Sequence, residues 1–100
     1  MTASAQLRTK AETWRIAAEV RWRIWDGEVV AYNGRSGHTH HFADFAGWVF
    51  AHLAAQPASA DGLTQAAAND VELRSGAAPS ATVERTLGLL RRLDLIERAP

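Results

Sequence analysis

One hundred residues are enough for one small domain, and much of the 47% hydrophobic share is alanine, so four Trp, three Phe and the Leu/Val set must build the core. A formal net charge of zero gives little drive toward nucleic acid, whose binders usually carry a basic excess or a basic face. The absence of cysteine excludes disulfide and thiolate chemistry and fits a reducing cytoplasm, and no apolar run approaches the ~20 residues that span a bilayer.

In chain order, residues 1–13 are small and polar with no hydrophobic period, and are expected to form a flexible tail without the apolar core of a secretory signal. A single domain is expected over residues 14–98. Trp14-Arg15-Ile16 reads as a lead-in strand covering one edge of a sheet. Val20-Arg21-Trp22-Arg23-Ile24-Trp25 alternates apolar and basic residues, the mark of a half-buried strand with Val20, Trp22 and Ile24 inward and Arg21 and Arg23 outward. Asp26-Gly27 is a tight hairpin signal. A second strand over 28–32 follows, then the turn Asn33-Gly34-Arg35-Ser36-Gly37 and a third strand over 38–42.

Three strands with one apolar face need helices against that face. Asp44 is a suitable N-cap for a first helix over 44–55, whose buried stripe is Phe45, Trp48, Val49 and Leu53 with Phe50 on its flank. Pro57 stops that helix. Ser59 caps a second, alanine-rich helix over 60–73, with Leu63, Ala66, Ala67 and Val71 inward. Residues 74–78 form a loop stopped by Gly76, and Pro79 or Ser80 opens a third helix over 82–93, with Val83, Leu87, Leu90 and Leu93 on one stripe. Leu95-Ile96 is a last apolar anchor. The pattern predicts an α+β fold, a three-stranded antiparallel sheet followed by three helices.

The hairpin Trp25-Asp26-Gly27-Glu28-Val29-Val30, the turn Asn33-Gly34-Arg35-Ser36-Gly37-His38-Thr39-His40, the helix opening Asp44-Phe45-Ala46-Gly47-Trp48-Val49 and the ending Leu90-Arg91-Arg92-Leu93-Asp94-Leu95-Ile96-Glu97 together carry a resemblance. In this order they are similar to the PqqD-like peptide chaperones, or precursor-peptide recognition elements, over about residues 14–98. The turn looks most like the subgroup found beside kinases related to the histidine-carrier-protein kinase. Two positions depart from the family pattern: Asp94 stands where Gly is frequent, and Ala43-Asp44 where Leu or Pro is common.

The resemblance implies a winged-helix-like domain without a catalytic centre or cofactor. It implies that the leader of a precursor peptide adds as a further strand along the third strand, beside the third helix, and is presented to a modifying enzyme, radical or kinase-related. The physics is β-augmentation, with backbone pairing for affinity and side-chain pockets for selectivity. The residues so implied are His38, Thr39, His40, His41 and Phe42 on the strand, and Val83, Arg85, Thr86, Leu87, Leu90 and Arg91 on the helix.

Other constellations have plainer readings. His38, His40 and His41, with His52 as a fourth, invite a metal reading, but strand alternation puts His41 on the opposite face from the other two, and no acidic pair or cysteine completes the set. As polar residues on a peptide-contacting strand, the imidazoles would make binding sensitive to pH near neutrality. Arg85 and Arg92 share a helix face, with Arg91 beside it; that is either a solvated face or an electrostatic guide for an acidic peptide. Trp22 and Trp48 are expected in the core. No Ser/His/Asp setting, carboxylate pair or phosphate loop supports an enzyme. Two further readings remain at this point, a winged-helix DNA-binding domain and a dimerisation module in which a second copy covers the unpaired strand.

Overall fold

The computed structural model describes residues 12–70 and 80–99. In chain order these form β1 (Thr13–Ile16), β2 (Val20–Trp25), β3 (Glu28–Asn33), β4 (Thr39–Phe42), α1 (Asp44–Ala55), β5 (Ala58–Ser59), α2 (Ala60–Asn69), α3 (Ser80–Arg92) and β6 (Ile96–Arg98). The arrangement is α+β, with two antiparallel three-stranded sheets among the described residues. The expected features at Val71, Leu73, 74–78 and Pro79, and most of the 1–13 tail, lie outside the described residues.

The first sheet is the expected meander, in the order β2-β3-β4. Asp26 and Gly27 both take positive φ, 49° and 76°, as a two-residue turn must if it is to match the right-handed twist of the strands it joins. At the other end of β3, the Asn33 side-chain Oδ1 accepts from the backbone N–H groups of Arg35 at 2.8 Å and Ser36 at 3.3 Å and fixes the second turn.

The single sheet expected from sequence is corrected to two. Residues 14–16 do form a strand, but β1 covers no edge of the meander. It is the centre of a second sheet, β5-β1-β6, with Trp14 opposite Ala58 on one side and Arg98 on the other. The partners β5 and β6 are two and three residues long, too short to show a period in sequence. Arg15 and Glu97, opposite each other in that sheet, form a 2.8 Å ion pair.

Side-chain placement differs from expectation on the long strand. Trp22 and Ile24 lie on the core side of β2, yet they are 43% and 36% exposed, because β2 is an edge strand among the described residues and only Val20 of it is buried. Trp22 still meets Phe50 edge-on, with ring centroids 5.9 Å apart. On α1 the buried set is Gly47, Val49, Phe50 and Leu53, so Phe50 is central while Phe45 and Trp48 are half-buried. Asp44 is not the cap. Ala43 holds that position with no side-chain bond, and Asp44 starts the helix with φ 56°. Ser59 does cap α2, accepting from the Gly62 N–H at 3.0 Å, but the helix ends at Asn69, short of residue 73.

The core joins Val29 and Ala31 of β3 to Val49, Phe50 and Leu53 of α1, Leu63 of α2, Val83, Leu87 and Leu90 of α3, and Leu95 and Ile96 after it. Asp94 makes the turn out of α3 with φ 60°, a left-handed residue of the kind glycine supplies without cost. Among the described residues, no helix is long and apolar enough to cross a membrane.

Candidate functional site

The expected edge is present. β4 pairs with β3 on one side, and no described strand pairs with the other. The ladder itself says which groups are open. The Asn33 N–H donates to the His38 carbonyl at 3.0 Å, so Asn33 and His38 form a hydrogen-bonded pair. Alternation then directs the backbone groups of His40 and Phe42 toward β3, and those of Thr39 and His41 toward the open side.

The side chains alternate the other way. His40 and Phe42 lie opposite Ala31 and Val29, on the core side, and Phe42 packs on Phe50 with centroids 5.4 Å apart. Thr39 and His41 point away from the core, and His41 Nε2 lies 2.9 Å from Glu28 Oε1, an exposed contact. His38 precedes the strand, and its ring sits 6.3 Å from that of His40. His52 is on α1 against the Trp48 ring, 5.2 Å away. The four histidines therefore do not converge, and among the described residues no group of three or more His, Cys, Asp or Glu could hold a metal ion.

The helix half of the expected site divides in two. Val83, Leu87 and Leu90 are buried, so their side chains close the core rather than line an open wall. Their regular spacing is that of a core stripe, and sequence alone does not tell a core stripe from a ligand groove. The accessible flank is Arg85 and Leu89, with Arg92 one turn on; Leu89, absent from the expected set, is 40% exposed. Its signal is its position four after Arg85 and three before Arg92. Thr86 is half-buried and spends its hydroxyl on the Thr82 carbonyl at 2.9 Å. Arg91 lies 5.3 Å over the Trp14 ring and so clamps α3 to β1. The helix packs mainly on α2 and β6, and less on α1.

Trp48, expected in the core, is half-buried and donates from Nε1 to Asp70 Oδ2 at 2.8 Å, which ties α1 to the end of α2. A feature that sequence did not single out lies at the end of the meander that carries the Asn33–Gly37 turn, an open recess of about 430 Å³ lined by Ala18, Glu19, Arg21, Tyr32 and Gly34.

The chain matches no family model, no curated protein and no solved structure.

Proposed function

We propose that this protein is a non-catalytic peptide-binding adaptor of winged-helix type. It takes the leader of a precursor peptide as an added strand and presents it to a modifying enzyme in the cytoplasm. The observation that carries the reading is the open side of β4, where the backbone groups of Thr39 and His41 face away from the only described neighbouring strand. The exposed Arg85, Leu89 and Arg92 of α3 give a flank suited to an acidic, partly apolar segment. The resemblance of the hairpin, turn and helix-end motifs to PqqD-like chaperones supports the same reading.

The test is a titration of isotope-labelled protein with the N-terminal segments of short peptides encoded beside its gene. The expected result is amide shifts concentrated at Thr39 and His41. The His41→Pro variant removes one outward N–H, and an edge strand tolerates proline on that side, so it should keep the fold and lose the response. Shifts that avoid β4, or an unaffected His41→Pro variant, would overturn the adaptor reading. A nucleic-acid complex whose affinity falls steeply with salt would instead favour the DNA-binding alternative, in which Arg85 and Arg92 meet phosphates.

A further inference from the structure

The meander has two edges, and β2 is the longer and less protected. Its six residues pair with β3 on one side, and no described strand pairs with the other. A two-residue hairpin bonds its flanking pair, here Trp25 and Glu28, so alternation along β2 directs the backbone groups of Trp22 and Ile24 to the open side. Around those groups the side chains from Arg21 to Ile24 are sorted by face, and Trp25 lies on the outer face opposite Glu28. Trp22 and Ile24 project on the core side, both more than a third exposed. Arg21 and Arg23 project on the outer side, and neither has an ion pair with a described residue. Glu28, opposite Trp25 on that face, is taken by His41, and Glu19 shares a recess with Arg21 without an ion pair to a described residue.

A plain guarded edge carries charge to repel other edges, but it does not also expose Trp, Ile and Trp within six residues. Self-pairing does not suit the pattern either. An antiparallel second copy keeps its apolar residues on the common face in two registers of long overlap. One puts Trp22 opposite Trp22 and sets Arg21 against Arg23 twice. The other puts Trp22 opposite Ile24 and sets Arg23 against Arg23. Like charges directly opposite are destabilising. The complementary strand is one with apolar residues on one face and carboxylates on the other.

We infer that β2 is a second strand-addition site, distinct from β4, which docks an extended segment of a partner protein that alternates acidic and apolar residues. The free backbone groups at Trp22 and Ile24 pair with the segment. Trp22 and Ile24 cover its apolar side chains, and Arg21 and Arg23 take its carboxylates. This goes beyond the adaptor reading and does not depend on it, since the sites lie on opposite edges of one sheet.

The experiment titrates labelled full-length protein with a capped peptide of about six residues alternating Glu and Val, the length of an ordinary strand. The expected result is saturable shifts at the Trp22 and Ile24 amides and at the Trp22 indole N–H. The Arg21→Glu/Arg23→Glu variant should bind that peptide about tenfold more weakly, as reversal of two exposed charge contacts requires, and should instead respond to a Lys–Val peptide that leaves the parent chain unmoved. An unchanged amide spectrum outside β2 shows that the variant is folded, and Arg21→Lys/Arg23→Lys should retain most of the binding. Equal response to the two peptides, shifts confined to β4, or no shift at β2 overturns the inference. So does a dimer through β2, or contacts between β2 and residues 1–11 in the peptide-free protein. Silence at β2 leaves the adaptor reading of β4 standing, and silence at β4 with precursor segments leaves this one standing.

Discussion

Asn33, the last residue of β3, donates from Nδ2 to the backbone carbonyl of Asp94 at 2.8 Å, across 61 positions of sequence. Its side chain is 1% exposed overall, and its Oδ1 accepts from the turn that follows. One amide thus joins the turn entering β4 to the turn leaving α3, the two elements on which the peptide-binding proposal rests. Asn33→Ala removes three hydrogen bonds and should cost about 1–3 kcal/mol, read as a lower urea midpoint with an unchanged slope. Asn33→Asp keeps the turn acceptor but buries a carboxylate against the Asp94 carbonyl, and should cost at least as much.

Asp94 tests the exit turn separately. Its φ of 60° and its exposure mean that Asp94→Gly relieves backbone strain and loses no buried contact. Thermal unfolding should show a gain of about 0.5–1 kcal/mol. Asp94→Ala should move the other way by a similar amount, since alanine lacks the local hydrogen bonding that lets Asp adopt this conformation. A gain with alanine would show that the carboxylate, not the backbone, decides the position.

Gly47 lies on α1 beneath the β2–β3 turn. A Cβ there would stand 2.7 Å from the Gly27 carbonyl oxygen, a backbone atom that cannot rotate away. Helix propensity alone would make Gly47→Ala stabilising by about 1 kcal/mol. The clash should reverse the sign and leave a net loss of about 1–3 kcal/mol by chemical denaturation. A stabilised variant would mean that the hairpin moves off the helix at no cost.

Arg91 and Arg85 should part company. Arg91 sits over the Trp14 ring, so Arg91→Gln should lower stability by about 0.5–1 kcal/mol and leave peptide affinity nearly unchanged. Arg85 is exposed on the accessible flank of α3, so Arg85→Gln should spare stability and weaken the response to acidic peptides. Paired denaturation and titration curves for the two variants check both halves of the statement.

The strand β2, the first helix and the stripe of the third helix were legible because each repeats its apolar residues at a regular interval, β3 because of its β-branched and aromatic run, and β4 only from the turn before it and the helix after it. Asp26-Gly27 and Asn33-Gly34 were legible because their turns need positive φ or a side-chain acceptor. The site was legible only in part. That β4 has no described strand on its outer side followed from strand order, whereas Val83, Leu87 and Leu90 looked like a groove wall and are core.

The sequence by itself determined local conformation, since periodicity and turn chemistry act over a few residues and need no distant partner. Only the tertiary structure decided where edges fall. The short strands β5 and β6 exist because each pairs with one side of β1. Trp22 and Ile24 are more than a third exposed because β2 lies at the edge of its sheet, where a core-side residue is covered on one flank alone. Arg91 is a clamp because Trp14 comes to lie beneath it. Each depends on contact between segments remote in the chain, which spacing within any one segment does not encode.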